Sequence, residues 1–330
     1  MSEEKVKTTR SSRYQTEIEV EEVDELKETK LKKEKKKEQK QINEEPETKK
    51  QHPILNKIIL TIIVIFLTIT AYSTLIEPKF INVKEYKIES NQLPESFHGL
   101  KIVQLSDIHY GTTTNSYQLN KIIKKVNELK PDIIVFTGDL QDKNIELTEE
   151  SKEELIIQLN DLKCSLYKYA IYGDEDLDNK NYKEIMESTD FTILDNKSIP
   201  LYYKDQTPII IAGFNPIISN PTYEILGHQI DEQDINNYYK IVLSHEPDSI
   251  DNFIDYNPNL VLSGHSLGGI IDLKFTKPLL LPENGKKYYK NHNSINNTEL
   301  YISNGLGTNS LNLRLLNPPS ISLYRFYKTK

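Results

Sequence analysis

Five short apolar runs between residues 100 and 262 of this chain each end in a carboxylate or an imidazole. The runs and the polar residues that follow them are Leu100 to Leu105 with Asp107 and His109, Ile133 to Thr137 with Asp139, Tyr169 to Tyr172 with Asp174, Glu175 and Asp176, Ile241 to Leu243 with His245, and Leu260 to Leu262 with His265. Runs of this length are typical of buried strands. In open α/β sheets the carboxyl ends of the strands form the site, so these side chains should converge. The pattern predicts a metal site.

Helical periods separate the apolar runs, which indicates βαβ units and a largely parallel sheet. One helix is predicted where five apolar side chains share a face: Leu119, Ile122, Ile123, Val126 and Leu129. A second is predicted to be capped by Ser151 with Glu154 and to run through about Leu162. Two runs that flank a polar turn, Ile199 to Tyr203 and Pro208 to Ala212, predict a hairpin. The sheet is therefore expected to be mixed.

Before these units lies a stretch of 19 residues without a charge, Ile58 to Ile76. At a rise of about 1.5 Å per residue it would span roughly 28 Å, which matches the core of a bilayer. Lysines precede it at 49, 50 and 57, so the positive-inside rule places the N-terminus in the cytoplasm and the later domain outside. A cleaved signal peptide is the rival reading, but its apolar region would be shorter and no A-x-A site follows.

The chain is thus expected to have three parts: a charged, disordered cytoplasmic tail over 1–52, a transmembrane anchor over 53–78 and one globular domain over 79–330. The tail has no apolar period with which to build a core. Between Lys27 and Lys40 it has eight lysines and three glutamates. This segment fits either an isolated solvated helix or a patch on anionic lipid.

Charge is divided unevenly between these parts. Residues 1–57 carry a formal net charge of +1 and residues 58–330 carry -9. An acidic domain disfavours nucleic acid as a partner, because binding to a polyanion depends on Lys and Arg at the phosphates. Small phosphorylated substrates and metal ions fit it better. The single cysteine, Cys164, cannot form an internal disulfide and is expected to be an inert core thiol.

The order of the five strand ends is D-x-H, GD, G-x-x-D, a lone His and then GH. This order resembles that of the calcineurin-like metallophosphoesterases. The resemblance extends over about residues 97–327 and includes Gly268, Gly269 and the tail LYISNGLGTNSLNLRLLNPPSISLYRF, which look like the membrane-attached bacterial branch. It implies an α/β fold with four layers, in which two mixed β-sheets are flanked by helices.

The resemblance also implies the ligands of two divalent ions, such as Mn, Fe or Zn. Asp107 and His109 would hold a first ion, Asp139 would bridge both, and Asp174, His245 and His265 would hold the second. Carboxylates and imidazoles suit such ions, and a pair about 3.5–4 Å apart activates water and neutralises phosphoryl charge during in-line attack.

Three positions depart from the family pattern. Where the family has GNH, this chain has Gly173, Asp174 and Glu175. Asp174 can still bind a cation. Glu175 replaces the histidine that the family uses to protonate the leaving group or to stabilise the transition state, and a carboxylate assists there only if it keeps a proton. Leu267 stands where the GHxH motif has the last ligand of the first ion. The first ion is therefore expected to bind weakly.

These observations predict a metal-dependent phosphoesterase at the outer membrane face, acting on a phosphomonoester or a phosphodiester that could be lipid-linked. The alternative is a degenerate member that binds metal or ligand without turnover, which Glu175 and Leu267 favour. A third reading, in which the Asp and His residues are only caps and surface groups, is disfavoured by the five matched strand ends.

Overall fold

The computed structural model describes residues 29–39, 53–216, 237–309 and 311–330. The chain divides into two units, Met1–Val64 and Ile65–Lys330. In the first unit, residues 29–39 form an exposed helix, α1. An exposed helix is compatible with both readings of the lysine-rich segment, the solvated helix and the patch on anionic lipid. The rest of the predicted disordered tail, 1–28 and 40–52, lies outside the described residues.

Helix α2 (Pro53–Ala71) begins at a proline, whose missing N–H is not needed in the first helical turn. It continues through a π turn (Tyr72–Ile76) and a 3-10 turn (Glu77–Lys79). No side chain of α2 is buried. The helical segment Pro53–Lys79 is the one stretch of the described chain that is long and apolar enough to cross a membrane. Its position matches the anchor predicted over 53–78.

The second unit contains two six-stranded mixed sheets, with strands numbered in chain order. The first sheet is made of β1 (Asn82–Ser90), β2 (Lys101–Leu105), β3 (Ile133–Phe136), β4 (Tyr167–Ala170), β5 (Phe191–Ile193) and β12 (Ser320–Lys328) in the order β1-β12-β2-β3-β4-β5. The second is made of β6 (Lys197–Leu201), β7 (Ile209–Phe214), β8 (Lys240–Ser244), β9 (Leu260–Ser263), β10 (His292–Ile295) and β11 (Thr298–Ile302) in the order β10-β11-β9-β8-β7-β6. Strands β2 to β5 are parallel, as are β7 to β9.

The two sheets pack face to face, and helices cover their outer faces. Side chains such as Ile133 from the first sheet and Ile241 from the second share one buried cluster. The other face of the first sheet packs against α3 (Ser116–Leu129), α4 (Glu149–Asn160) and α5 (Tyr182–Glu187). In the described chain, two 3-10 helices, Pro247–Asn252 and Ile254–Tyr256, lie over the second sheet. This arrangement confirms the predicted sandwich of two mixed sheets flanked by helices.

Two predicted boundaries are wrong by a few residues. Helix α4 starts earlier than expected, because its N-cap is Thr148, whose hydroxyl accepts from the backbone N–H of Ser151. Strand β4 spans Tyr167–Ala170 rather than Tyr169 to Tyr172. The predicted hairpin is confirmed, since β6 and β7 pair antiparallel. Cys164 is a half-buried free thiol rather than a core residue.

Candidate metal centre

The carboxyl ends of β2, β3, β4, β8 and β9 bring their polar side chains to one place between the two sheets. The donor atoms fall into two clusters, each within 4.8 Å. One consists of Asp107, His109 and Asp139, and the other of Asp139, Asp174, His245 and His265. All six residues expected to be ligands are therefore brought together. Asp139 belongs to both clusters, which is the position of a bridging carboxylate.

The second cluster is the tighter one. Nε2 of His245 lies 3.2 Å from Oδ2 of Asp139 and 3.1 Å from Oδ1 of Asp174. Nδ1 of His265 lies 3.0 Å from the same Asp174 oxygen. Both His245 Nε2 and Asp174 Oδ1 are buried without a hydrogen bond of acceptable geometry. Buried polar atoms are rarely left in this state, so these donors fit a cation at their common centre.

The first cluster has a similar signature with fewer donors. Nε2 of His109 faces Oδ2 of Asp139 at 3.9 Å. Oδ2 of Asp107 is buried and has no hydrogen-bond partner. These three residues supply one imidazole and two carboxylates, a donor set that suits a hard or borderline divalent ion.

Each of the three histidines uses its other ring nitrogen to contact an oxygen outside the clusters. Nδ1 of His109 lies 2.5 Å from Oδ1 of Asp142, and Nδ1 of His245 lies 2.6 Å from the carbonyl of Thr137. Nε2 of His265 lies 2.7 Å from the carbonyl of Glu283. Each of these nitrogens must donate its proton to the oxygen, so the lone pair of the neutral ring points into the cluster. Oxygen partners of this kind orient histidine ligands in metal sites.

The negative charge of the site holds protons on the histidines when no cation is present. Burial lowers the pKa of His245, but the carboxylates of Asp139, Asp174 and Asp107 together outweigh burial, and the pKa lies well above the usual range. Burial also lowers the pKa of His109, but the hydrogen bond to Asp142 and the charges of Asp139 and Asp107 together raise it. Burial raises the pKa of Asp107. A site that attracts protons this strongly will also attract divalent ions.

Asp176 fixes the loop that carries Asp139. Its carboxylate is fully buried and accepts hydrogen bonds from the backbone N–H groups of Asp139, Leu140 and Gly173, at 2.7, 3.0 and 2.8 Å. Burial, with the nearby Asp139 carboxylate, raises the pKa of Asp176 to about 7. Asp176 acts on Asp139 through the backbone, so it is a positioning residue.

The backbone at this edge is strained and closely packed. Asp107, His109, Asp139 and His265 all have φ between 49° and 60°, a region that non-glycine residues rarely occupy. A Cβ on Gly173 would lie 2.1 Å from Oδ1 of Asp139. Strain of this kind persists where the surrounding structure maintains it and clusters at functional sites.

A cavity of about 290 Å³ opens onto the clusters. Its polar wall includes His109, Asp139, Asp174, His265 and Asn309. The remaining wall is apolar and consists of Leu267, Ile270, Leu280, Leu281 and Pro282. Leu267 is buried and occupies the position of the missing ligand without offering a donor atom.

Glu175 lies beside the cavity and is held by two donors. Its Oε2 accepts from the backbone N–H of Lys143 at 3.0 Å, and its Oε1 accepts from Nδ2 of Asn309 at 3.0 Å. Its own backbone N–H donates to Oδ1 of Asp139 at 3.1 Å. Glu175 therefore contacts both Asp139, the candidate bridging carboxylate, and Asn309 of the cavity wall.

Sequence reasoning missed Asp142 and Asn309. Asp142 could have been suspected, because an acid three residues after Asp139 follows the same strand end. Nothing in the sequence separates Asn309 from the other asparagines of the C-terminal segment, since it reaches Glu175 across 134 residues.

Comparison with known proteins identifies the family. The model of the calcineurin-like phosphoesterases matches residues 100–269. The metallophosphoesterase YkuE of Bacillus subtilis is 35% identical over 262 residues, covering 78% of this chain and 90% of YkuE. A transmembrane protein with a metallophosphoesterase domain from Danio rerio is 31% identical, covering 58% of this chain and 45% of that protein.

A third relative is the UDP-2,3-diacylglucosamine pyrophosphatase LpxG of Chlamydia trachomatis, 29% identical over 286 residues, covering 71% of this chain and 86% of LpxG. The family model spans just over half of the chain, and YkuE is matched over most of its length. The chain therefore belongs to the calcineurin-like phosphoesterases, hydrolases of phosphoester bonds that use divalent metals.

Proposed function

We propose that this protein is an active metal-dependent phosphoesterase whose substrate is a phosphomonoester or phosphodiester carried by a lipid at the outer membrane face. The observation that carries the proposal is the pair of donor clusters sharing Asp139, with three imidazoles oriented by oxygens outside the clusters. Divalent ions held there would activate a water and neutralise the phosphoryl oxygens.

The two positions are unequal. Asp139, Asp174, His245 and His265 offer four donors to one ion, which is the number of a complete tetrahedral site. The other position has three donors, because Leu267 adds none. We assign the tight site to the four-donor cluster and an exchangeable ion to the three-donor cluster.

Glu175 is the candidate proton donor to the leaving group. It occupies the position of the family histidine, and Asn309 connects it to the cavity. The Nζ of Lys143 lies 3.9 Å from its Oε1. An ionised Glu175 would repel a phosphate, so the role requires that it carry a proton when substrate is bound.

A lipid-linked substrate is favoured by the apolar wall of the cavity and by the apolar helix that precedes the domain. Among the relatives, LpxG is named for a substrate that carries acyl chains. The lysines before the helix favour a cytoplasmic N-terminus and an external domain.

A second candidate function is metal or ligand binding without turnover. The carboxylate at Glu175 and the apolar Leu267 favour it, because each removes a group that the family uses. In this case the four-donor cluster would still take up an ion.

Metal content and hydrolysis together test both candidates. The full chain, purified in detergent, would be assayed for bound metal and for hydrolysis of bis-p-nitrophenyl phosphate and p-nitrophenyl phosphate with added manganese. We expect at least one tightly bound ion and hydrolysis that Asp139→Asn abolishes. Bound metal without hydrolysis of either ester would favour the second candidate, and a chain that takes up no manganese would refute the metal centre on which the first candidate depends.

A further inference from the structure

Four large apolar side chains in the segments around the metal cavity are exposed, and one of them, Leu280, lines the cavity itself. Phe275 is 83% exposed, Leu280 58%, Leu279 52% and Leu316 49%. We call these four residues the apolar rim. Through Leu280 the rim continues into the apolar wall of the site. Contiguous exposed apolar residues on a soluble surface mark an interaction site.

The apolar rim is joined to the end of the membrane-spanning candidate helix by backbone pairing. The N–H of Arg314 donates to the carbonyl of Ser73 at 2.8 Å. Leu315 then pairs with Ile271, and Ile271 pairs with Leu279. Paired residues lie about 5 Å apart and consecutive residues about 3.8 Å apart, so these links place Leu279 of the rim within roughly 20 Å of Ser73.

A second contact fixes the same junction. Oε1 of Glu77, a buried side chain at the end of the helical segment, accepts from the backbone N–H of Asn317 at 2.7 Å. Leu316, the residue before Asn317, belongs to the rim. If the helix leaves the bilayer at this junction, the rim lies at the depth of the lipid headgroups.

The charge around the rim suits anionic lipid. Residues 270–290 contain five lysines against one aspartate and one glutamate, in a domain whose net charge is strongly negative. Lys274 and Lys277 flank Phe275, and the Nζ of Lys277 lies over the ring of Tyr289. Lysines and tyrosines beside exposed leucines are the composition of membrane-interface segments.

Two rim residues are held in a strained backbone conformation. Leu280 and Leu316 have φ of 60° and 58°, which is unfavourable for a leucine. Such strain persists only when the surrounding structure enforces it. The fold therefore holds both side chains towards solvent, although their backbone conformation is unfavourable and the side chains gain no burial within the domain.

We propose that the apolar rim inserts into the surface of the bilayer that holds the anchor, with the lysines of 270–290 on anionic headgroups. The mouth of the metal cavity then opens at headgroup depth. The substrate class is an amphiphile whose phosphoester lies in the headgroup region, delivered laterally from the membrane rather than from bulk water. This inference rests on the membrane location in the proposed function.

Lipid-depth quenching in the full chain tests the proposal. Single cysteines in a Cys164→Ser background would carry an NBD fluorophore in vesicles of phosphatidylglycerol and phosphatidylcholine containing doxyl lipid. Three sites are compared: Leu280→Cys in the rim, Phe66→Cys in the anchor, and Tyr167→Cys. Tyr167 is also exposed but begins β4, at the sheet edge opposite the site.

We expect quenching and blue-shifted emission at 66 and 280 and neither at 167. Quenching at 66 alone would overturn the rim proposal while leaving the anchor intact. No quenching at 66 would refute the membrane location itself, and the rim proposal with it. The two failures are thus distinguishable.

A charge substitution checks that insertion depends on the rim. With the fluorophore at Phe275→Cys, the added substitution Leu279→Asp should reduce quenching by about two-fold or more, since a carboxylate resists transfer into the interface. Tyr167→Asp is the matched control and should leave quenching unchanged. Equal quenching in both variants would refute insertion through the rim.

Discussion

Asp142 lies 2.5 Å from His109, its Oδ1 facing the ring Nδ1 that points away from the donor cluster. The contact fixes which nitrogen of His109 carries the proton and leaves Nε2 to face Asp139. Among the six residues in the two clusters, His109 is the only imidazole on the three-donor side. The weaker position therefore depends on a residue that offers no ligand of its own.

Removing Asp142 should weaken the three-donor position selectively. Asp142→Ala is expected to reduce affinity for the first ion by about 10-fold to 100-fold, because the ring of His109 loses its orientation. Manganese binding measured by titration calorimetry would show this as loss of the weaker event alone. Asp178→Ala, at an exposed acid, is the control, and an equal loss at both positions would contradict the assignment.

Replacing Asp139 should affect both positions, since its carboxylate belongs to both clusters. Asp139→Asn is expected to lower bound metal to below one ion per chain and to abolish hydrolysis. The matched control is Asp190→Asn, the same change at an exposed residue with a similar φ of 61°. Bound metal would be measured by mass spectrometry. Retention of one tightly bound ion by Asp139→Asn would show that Asp139 does not bridge the two positions.

The sequence predicted the six clustered side chains because each follows a buried strand, and parallel strands end at one edge. It also predicted the two-sheet sandwich, through its resemblance to a family rather than through periodicity alone. The start of α4 was misplaced because two hydroxyls, Thr148 and Ser151, lie three residues apart and either could cap. Local sequence cannot decide between them.

Other features depended on contacts between distant parts of the chain. Asn309 and Glu175 are 134 residues apart and meet only in the folded domain. The oxygen that orients His265 is a backbone carbonyl, at Glu283, and carbonyls carry no sequence signal. The exposure of Leu279 and Leu280 likewise depends on tertiary contacts that the sequence does not show.

Metal affinity should rise with pH. The carboxylates outweigh burial and raise the pKa of His245 well above the usual range, and the pKa of His265 is raised as well, with Asp174 outweighing burial. His245 is therefore protonated in the metal-free protein at neutral pH. An ion must displace the protons of these imidazoles, so affinity should increase by about tenfold per pH unit for each proton released, at pH values below their raised pKa.

Calorimetric titration with manganese in two buffers of different ionisation enthalpy measures that release directly. At least one proton per ion is expected near neutral pH. Binding that is independent of pH and of buffer would show that the histidines are neutral before the ion arrives.

The proposed orientation predicts which parts of the chain are accessible from outside. In a Cys164→Ser background, a membrane-impermeant maleimide should label Tyr167→Cys in intact cells but leave Ser11→Cys unlabelled. Permeabilised cells provide the control, since both cysteines should then react. Labelling of Ser11→Cys alone in intact cells would show that the orientation is the opposite of the proposed one.

Restoring the missing ligand should strengthen the three-donor position. Leu267 is buried in the cavity wall beside His109 and has a φ of 54°, a conformation that histidine adopts more readily than leucine. Leu267→His is therefore expected to fold and to raise metal occupancy towards two ions per chain. Leu267→Asn, which also tolerates this backbone but offers a poorer donor, is the matched control.

Adding Glu175→His to Leu267→His should then raise phosphodiesterase activity above the native level. A second fixed cation and an imidazole both favour the charge that develops on the phosphoryl group, whereas the Glu175 carboxylate opposes it. Hydrolysis of bis-p-nitrophenyl phosphate, with metal content measured on the same samples, separates the two contributions. If the native protein already binds two ions and the double substitution lowers activity, the first position is not weak. Glu175 and Leu267 would then both contribute to turnover in a site that differs from the family pattern.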